Sequence, residues 1–412
     1  MNKPVIGARP TGQLPIPNSQ KVDISKVNTE ETTTETIIDV IEIEEDTQAF
    51  SVYDNLIANN EKNKDSEEEE VRMIDFFKAG LKTYDEFEER ARNKGNGYSS
   101  PNFPTIEQKL EGWEAGMYLF SGESNSGKSA AMMNIMKDLC SHEENNLFGI
   151  YYSLDDSKHE IIPRIIAMEQ SIPIGVAAKP RRYEELIEDH MDDNAAMYAE
   201  YLERRKIGLE KLRSETNKFL IEDAGKIKNS SDITNHIKMV KTFLKTYYLE
   251  QGDVEKANKI NVIIAIDALN DIKLDPKVYG RIKKEDSSEE VAKFVKDLSV
   301  EFDIIVLAST HLRKLNGNRR PTLDDLREAN TLVYEASVVW LVYNDVSKNK
   351  SGAKVYWNDN REVAPILEMD WAKNKKSSYK GRTFNMFRPN WSQIKECSKS
   401  AMEGFEQIIM QS

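Results

Sequence analysis

The sequence has only two cysteines among its 412 residues, Cys140 and Cys397. Two thiols this far apart are too few for a disulfide framework or a cysteine-based metal site, and they are typical of a chain that stays in a reducing compartment. We therefore expect two free thiols in a cytoplasmic protein, or in the host cytoplasm if the source is a virus or another mobile element.

Long hydrophobic runs are also missing. No stretch approaches the ~20 apolar residues that a membrane-spanning helix needs. Residues Met1 to Pro17 do not combine a basic start, a compact apolar stretch and a small-residue cleavage site, so we expect no secretory signal. These absences exclude an integral membrane protein. The length leaves room for one large globular domain of ~250–300 residues plus additional segments.

An excess of positive charge is missing too, because the formal net charge is −13. Residues 28–70 alone contain 15 Asp or Glu and two Lys, which accounts for the whole net charge. Residues 1–70 also have few aromatic side chains, which is typical of a segment without a packed core. We interpret 1–70 as an acidic, largely disordered tail. Residues Ile37–Phe50 alternate Ile or Val with acids, so a docking peptide remains an alternative to a solvated tail there.

Residues 71–98 have a different pattern, with apolar side chains at near-helical spacing among charges, and we predict a helical linker. Gly95-Asn-Gly97 and Ser99-Ser-Pro101 end this pattern, so we predict a domain boundary near residue 100. We expect the main domain over 99–397 and a C-terminal tail over 398–412. The apolar positions of the linker are Met73, Ile74, Phe77, Leu81, Tyr84 and Phe87.

The strongest pattern is Gly122-Glu-Ser-Asn-Ser-Gly-Lys-Ser129, a complete match to the P-loop G-x-x-x-x-G-K-[ST]. It lies between an apolar stretch, Met117–Ser121, and a helix-forming stretch, Ala130–Leu139, as a P-loop requires. In such a loop backbone N–H groups surround phosphate, the lysine reaches the β- and γ-phosphates, and the hydroxyl ligates Mg²⁺. We therefore predict a site for ATP and Mg²⁺. Its phosphate-binding residues are Gly122, Glu123, Ser124, Asn125, Ser126, Gly127, Lys128, Ser129 and Ala130.

The stretch Asn261-Val-Ile-Ile-Ala-Ile-Asp267 predicts a buried parallel strand whose final carboxylate reaches the magnesium ion. Asp267 is thus our Walker B acid, although an Asp that only caps the next turn remains an alternative. Further apolar runs alternate with helical patterns, which predicts an α/β fold with a mostly parallel central sheet flanked by helices. These runs are Leu147–Leu154, Ile304–Ala308 and Val338–Tyr343.

Residues 180–218 are a long charged segment with helical spacing, and we predict a helical insertion there. An outer helical hairpin with a structural role and a partner-binding element are the two interpretations that the sequence leaves open.

The order of these motifs resembles the DnaB-type replicative helicases and the helicase half of phage primase–helicases, over about Asn102–Glu396. Arg320-Pro-Thr-Leu-Asp-Asp-Leu-Arg-Glu-Ala329 is the most distinctive stretch, and Gln108–Gly116 resembles the family's entry into the P-loop strand. The resemblance implies a RecA-like P-loop NTPase fold. It also implies an ATP-dependent DNA helicase that assembles as a homo-hexamer on single-stranded DNA, with primase and a helicase loader as possible partners.

The resemblance assigns further site residues. Asp155 falls where the family has the glutamate that orients the attacking water, and Arg164 lies at the expected distance on the following helix to contact ATP. His311, in Ser309-Thr-His-Leu-Arg313, would sense the γ-phosphate. The implied catalytic set is Lys128, Asp155, Asp267, His311, Lys373 and Lys375, with Ser129 and Asp267 as the magnesium ligands.

The sequence also departs from the family pattern. Asp155 is one methylene shorter than the expected glutamate, so Asp156 and Glu160 are alternatives for its role. Lys375 stands where the family usually has an arginine in the hairpin that reaches into the neighbouring subunit, and a lysine lacks arginine's bidentate fork. Residues 376–380 lengthen this hairpin. No segment resembles the N-terminal collar domain of the bacterial members.

Basic residues after the Walker B strand, and in a second loop after the sensor strand, predict contacts with DNA phosphates. Such contacts would give sequence-independent, salt-sensitive affinity. Asp275, Glu285 and Asp286 lie among them, so a solvated loop of mixed charge is the alternative. The predicted DNA-binding residues are Lys273, Lys277, Arg281, Lys283, Lys284, Arg313 and Lys314.

Two other functions remain open. A recombination ATPase of the RecA or RadA type would share the core, but the Arg320–Ala329 stretch argues against it. The departures at Asp155 and Lys375 are also compatible with a degenerate nucleotide-binding scaffold for a primase or a helicase loader. ATP turnover stimulated by DNA would separate the motor from the scaffold.

Overall fold

The computed structural model describes residues 97–188, 194–281, 283, 287–313, 315, 319–344, 356–357, 362–363 and 366–411, with scattered helical positions between 81 and 92. The predicted tail 1–70 and most of the predicted linker 71–98 lie outside the described residues, as do Lys284 and Lys314. The chain divides into a unit over Met1–Tyr84 and a unit over Asp85–Ser412, and the second contains every element below. Within the described ranges, no helix has the length and apolar character needed to cross a membrane.

The strands alternate with helices along most of the chain. The strands are β1 (Gly116–Gly122), β2 (Leu147–Ser153), β3 (Phe219–Asp223), β4 (Asn261–Asp267), β5 (Ile305–His311), β6 (Val338–Asn344), β7 (Tyr356–Trp357), β8 (Glu362–Val363), β9 (Ile366–Asn374), β10 (Arg382–Arg388) and β11 (Gln393–Glu396).

From residue 97 onward, the described part of the chain contains twelve α-helices, of which the first precedes β1 and the others lie between or after the strands. They are α1 (Pro104–Leu110), α2 (Lys128–Ser141), α3 (Lys158–Gln170), α4 (Ile174–Ala178), α5 (Pro180–Glu188), α6 (Ala195–Ser214), α7 (Ser230–Glu250), α8 (Val254–Lys259), α9 (Pro276–Tyr279), α10 (Ser287–Glu301), α11 (Asn330–Glu335) and α12 (Lys399–Gln411).

The main sheet has the strand order β11-β10-β9-β6-β1-β5-β4-β2-β3, and β7 pairs separately with β8. The six strands from β6 to β3 in this order are parallel, whereas β9, β10 and β11 add an antiparallel extension beside β6. The mostly parallel sheet that the sequence predicted is therefore present.

The central strand β1 explains why its sequence is apolar throughout. All seven of its residues are buried, because consecutive side chains of a strand point to opposite faces and both faces are covered. Tyr118 and Phe120 belong to one core with Met136 of α2. Met117 and Leu119 belong to a second core on the other face, which includes side chains from α7 and α10.

Residues 180–218 contain the helices α5 and α6 and then lead into β3. Tyr183 of α5 and Tyr198 near the start of α6 pack edge to face, with ring centroids 5.3 Å apart. Gly208 of α6 lies so close to Ile166 and Gln170 of α3 that a Cβ there would come within 3.0 and 2.7 Å of their side chains. The segment thus packs against the helix that follows β2.

The carboxyl ends of the parallel strands bring several polar residues to one edge of the sheet. Ser153 at the end of β2 is in register with Asp267 of β4 on one side and Asp223 of β3 on the other. Gly122 at the end of β1 is in register with His311 of β5. The sequence motifs of four distant segments therefore meet at this edge, which is the usual position of ligand sites in open α/β sheets.

Candidate active site

The loop between β1 and α2 has the backbone conformation of a phosphate-binding turn. Asn125 and Gly127 have positive φ angles of 61° and 102°. A Cβ at Gly127 would lie 2.7 Å from Leu367 Cδ1, and a Cβ at Gly122 would lie 2.7 Å from the carbonyl oxygen of Val342. Glycine is therefore required at both ends of the loop, for its conformation at Gly127 and for close packing at both positions.

Lys128 lies at the start of α2, and its Nζ is turned back toward the loop. It donates hydrogen bonds to the carbonyl oxygens of Gly122 at 3.0 Å and Glu123 at 2.8 Å, and it lies 3.5 Å from His311 Nδ1. Burial lowers the pKa of Lys128 to about 8, because desolvation disfavours the charged form. The nearby carboxylates of Asp267, Asp155 and Glu123 oppose this shift, because their negative charge favours the charged ammonium.

The Asp267 carboxylate is held by side chains from both neighbouring strands. Tyr151 of β2 donates its hydroxyl proton to Oδ2 at 2.8 Å, and Ser309 of β5 donates to Oδ1. Burial and the adjacent Asp267 charge raise the pKa of Tyr151 well above its ordinary value, so it remains a donor. Neither Tyr151 nor Ser309 can be recognised from the sequence as a partner of Asp267, because nothing in the local pattern distinguishes them from other strand residues.

A cavity of about 690 Å³ opens beside the P-loop. Predicted residues from the P-loop and from the ends of β2, β4 and β5 line one part of it, and side chains that the sequence did not indicate line the rest. The predicted ones are Ser124, Asn125, Gly127, Lys128, Ser129, Ala130, Asp155, Arg164, Asp267 and His311. Asp156, the alternative to Asp155, lines it as well, and the side chains that the sequence did not indicate are Ile174, Asn344, Phe387, Pro389 and Ser392.

The three acids considered for the water-orienting role are in different environments. Asp155 lines the cavity. Asp156 forms an ion pair with Arg164, with an Nη1 to Oδ2 distance of 2.8 Å. Glu160 accepts hydrogen bonds from the backbone N–H and hydroxyl of Ser157, both at 2.9 Å, and so completes the capping box of α3. Glu160 therefore has a structural role, and Asp155 is the acid among the three that faces the cavity without an ion pair to Arg164.

His311 is tied to the segment after the Walker B strand. The Asn270 Oδ1 atom accepts hydrogen bonds from the Thr310 hydroxyl at 3.1 Å and the His311 backbone N–H at 3.2 Å. A displacement of the His311 backbone would therefore also displace Asn270, which is three residues after Asp267.

Lys373 and Lys375 lie on the hairpin formed by β9 and β10, and neither lines the cavity. Lys373 Nζ donates to the carbonyl oxygens of Val333 and Tyr334, and Lys375 Nζ donates to that of Tyr334 at 3.1 Å. Burial and the positive charge of Lys375 lower the pKa of Lys373 to about 8. Lys373 and Lys375, which the sequence predicted to act on a neighbouring subunit, thus cap the end of α11 in their own chain.

The predicted DNA-binding residues that the structure describes all have exposed side chains. They are Lys273, Lys277, Arg281, Lys283 and Arg313. The adjacent arginines of the second loop are bound to acids. Arg319 donates to both carboxylate oxygens of Asp325, and Arg320 donates to both oxygens of Glu368 at 2.7 and 2.8 Å. The bidentate Arg320–Glu368 pair attaches the start of the Arg320–Ala329 segment to β9, and the Arg319–Asp325 pair holds the loop to itself.

The residues around the P-loop fit a phosphate group and a magnesium ion. Ser126 has a buried hydroxyl with no hydrogen-bond partner, and the loop has no room for additional side chains at its glycines. The described residues contain no cluster of three His, Cys, Asp or Glu side chains that could hold a metal. Magnesium in phosphate-transfer sites takes only one or two protein ligands, and Ser129 and Asp267, which line this cavity, offer a hydroxyl and a carboxylate for it.

Comparison with known proteins points to the same family as the sequence motifs. A "Probable replicative DNA helicase" from Trieres chinensis is 24% identical over 67% of this chain and 52% of its own length. "Replicative DNA helicase DnaB" from Mycoplasma pneumoniae is 21% identical over 66% of this chain and 52% of its own length. The chain therefore spans about half the length of these curated relatives.

Solved structures share the fold. One solved ATPase domain superposes with a TM-score of 0.58 at 19% identity, over 78% of this chain and 98% of that one. A DnaB-like replicative helicase, solved to show its interactions with primase, has a TM-score of 0.57 at 19% identity, over 85% of this chain and 76% of that one. Residues 99–380 match the DnaB-like helicase C terminal domain. The chain therefore belongs to the DnaB-like helicase C-terminal domain family.

Proposed function

We propose that this chain is the motor of an ATP-dependent replicative DNA helicase that assembles as a ring, translocates on single-stranded DNA and unwinds duplex at the fork. The observation that carries the proposal is the convergence of the P-loop lysine, the Walker B acid and the sensor histidine on one cavity. Lys128, Asp267 and His311 converge on one cavity, whereas the lysines of the β9–β10 hairpin lie outside it. In phosphoryl-transfer sites the cation that stabilises the transition state is commonly supplied in trans. Family membership and the names of both relatives support the helicase activity.

In this proposal ATP binds in the cavity with its β- and γ-phosphates on the P-loop. The backbone N–H groups at the start of α2 and the Lys128 ammonium bind the phosphate oxygens. Ser129 and Asp267 would hold a magnesium ion, which would neutralise charge on the phosphates. Tyr151 and Ser309 fix the Asp267 carboxylate before the ligand arrives. Arg164 also lines the cavity, and it contacts the nucleotide.

The remaining residues position the attacking water and report the γ-phosphate. Asp155 orients the water as an acceptor. His311 lies 3.5 Å from Lys128, so its ring is close to where Lys128 would hold the γ-phosphate. Asn270 links the His311 backbone to the segment that leads to the basic residues after β4. Lys373 and Lys375 from the adjacent subunit stabilise the charge of the transition state.

DNA binds the exposed basic residues after β4 and β5 through its phosphates, in a sequence-independent way. A homo-hexamer would arrange these loops around one central channel. Primase and a helicase loader are the partners that we propose. One of the structurally similar proteins was solved for its interactions with primase.

ATPase activity should rise steeply with protein concentration, because each site needs a second subunit. Single-stranded DNA should raise the specific activity by about tenfold or more, since it assembles the ring and orders the site. The measurement is a steady-state ATPase assay over a wide protein concentration range, with and without an unstructured oligonucleotide. A specific activity that does not change with concentration or DNA would contradict the motor and favour a nucleotide-binding scaffold.

Nucleotide affinity should decrease at alkaline pH. The pKa of Lys128 is lowered to about 8, so the cation that binds phosphate is present below this pH and is lost above it. Because the phosphates of ATP are already ionised there, the dissociation constant should be about tenfold higher at pH 9 than at pH 7. Titration of a fluorescent ATP analogue with magnesium would measure it. In Lys128→Arg the guanidinium stays charged, and the pH dependence should disappear. A wild-type constant that does not change over this range would contradict the assignment.

A further inference from the structure

Two acids at the end of β3 connect the start of α3 with the turn that leads to α7. One of them, Asp223, is in register with Ser153 of β2. Ser153 lies two residues before Asp155 in the chain. Its Oδ2 atom accepts the backbone N–H of Lys158, the first residue of α3, at 3.1 Å. Its Oδ1 atom accepts the backbone N–H of Gly225, in the turn before α7, at 2.9 Å. One carboxylate thus bridges the segment that carries Asp155 and this turn.

Glu222, the preceding residue, connects the same two segments by charge. It is only 3% exposed. Its Oε2 atom lies 3.5 Å from Lys158 Nζ, and its Oε1 atom accepts a hydrogen bond from Lys226 Nζ. Its Oε1 atom also lies 3.7 Å from Nε2 of His236 in α7. His236 Nδ1 is 3.0 Å from the Tyr152 hydroxyl, so α7 is additionally attached to β2.

The other end of this connection is the basic segment after β4, which contains Lys273 and Lys277. The Ser230 backbone N–H, at the start of α7, donates to the Lys273 carbonyl oxygen at 2.8 Å. The Ser230 hydroxyl accepts the backbone N–H of Asp275 at 3.0 Å. The Asp275 side chain in turn accepts the N–H of Lys277, which caps α9. Hydrogen bonds and one short turn of the chain therefore connect the basic segment with the start of α3.

We propose that Asp223 is a positioning residue that couples DNA binding at the basic segment after β4 to the placement of Asp155 in the cavity. The inference rests on the proposed function and deepens it. A charged carboxylate bonded through both oxygens holds its two partners in fixed relative positions. When DNA phosphates displace the Lys273–Lys277 backbone, Ser230 transmits the displacement to the turn, and Asp223 transmits it to the first turn of α3. The Asp155 side chain, three residues before Lys158, moves with it.

Asp223→Asn is the appropriate variant, because an amide has one acceptor oxygen where the carboxylate has two. Because the N–H groups of Lys158 and Gly225 reach different oxygens of Asp223, the amide in the same position can accept from one of them but not from both, while its volume is nearly unchanged. We expect the ratio of DNA-stimulated to basal ATPase rates to fall by about fivefold or more, a typical size for coupling between two sites. The KM for ATP and the dissociation constant for fluorescein-labelled single-stranded DNA, measured with a non-hydrolysable ATP analogue, should stay within about twofold.

Ser230→Ala tests the other end of the connection, since it removes the acceptor for the Asp275 N–H. It should lower the same ratio. Asp253→Asn is the matched control. Asp253 caps α8 by accepting the Lys256 N–H at 2.9 Å, and α8 precedes the amino end of β4, away from the cavity. The control should leave the ratio unchanged.

The inference is overturned if Asp223→Asn and Ser230→Ala both keep the wild-type ratio. It is also overturned if they lower the basal and stimulated rates by the same factor together with the melting temperature, because that pattern indicates a structural role alone. A wild-type protein whose ATPase does not respond to DNA overturns the proposed function itself. Loss of the ratio in the variants with normal wild-type stimulation supports both.

Discussion

Lys128→Ala should abolish ATP hydrolysis, with a loss of about 10²- to 10³-fold or more in kcat, because it removes a preorganised cation from the transferred phosphoryl group. The side chain is 5% exposed and lies between the P-loop carbonyls and His311. Because water is largely excluded from this side chain, its charge interacts strongly with phosphate.

The matched control is Lys259→Ala. Lys259 lies in α8 and forms an exposed ion pair with Glu255 at 2.6 Å, which contributes little to stability. We expect Lys259→Ala to retain wild-type activity. Circular dichroism and gel filtration of both variants would separate a lost reaction from a lost fold. A folded Lys128→Ala protein with more than about a tenth of the wild-type rate would show that the P-loop is not the hydrolytic centre.

The part of the site that the sequence predicted is the part encoded in contiguous stretches. The P-loop needs a strand, a glycine-rich turn and a helix start in immediate succession, so its geometry is already present in Gly122–Ser129. The Asn261–Asp267 strand has the same bounds in the structure as in the prediction. Burial of the strand on both faces requires an unbroken apolar run, and a carboxylate at its end is then conspicuous.

The side chains that support these motifs could not be predicted in this way. Tyr151 and Asp267 are separated by 116 positions, and Ser309 and Asp267 by 42. Their contacts follow from strand order in the sheet, which a single sequence does not specify. Phe387 and Pro389 line the cavity for the same reason, since the antiparallel extension brings the end of β10 close to the P-loop.

The strand β3 was missed for a different physical reason. It has only five residues at the edge of the sheet, and just two of them are fully buried. Such a strand has neither a long apolar run nor strict alternation, and it directly follows the charged helix α6. Its importance lies in the two acids at its end, which reach Lys158 of α3 only when β3 pairs with β2. The contacts that connect the basic segment to Asp155 were therefore not visible from the sequence.

The proposed division of the site between subunits leads to the second large prediction, which uses two variants that should each be inactive alone. Lys375→Ala should lower the ATPase rate by about 10³-fold or more if the lysine acts as arginine fingers do. Lys375 is exposed and donates to the Tyr334 carbonyl oxygen at 3.1 Å, so its removal should not unfold the hairpin. Lys380→Ala is the matched control, because Lys380 is an exposed lysine between β9 and β10. It should remain active.

Mixing Lys375→Ala with Lys128→Ala should restore activity, although each variant alone is inactive. In a ring with head-to-tail interfaces, a site works when a subunit with intact Lys128 faces a neighbour with intact Lys375, which occurs at about one quarter of the interfaces in an equal random mixture. We therefore expect up to about a quarter of the wild-type rate, measured without DNA so that turnover does not depend on translocation. A site completed within one chain has no intact copy in any mixture. Failure of the mixed proteins to recover, while gel filtration shows mixed rings, would therefore place the missing cation in the same subunit as Lys128.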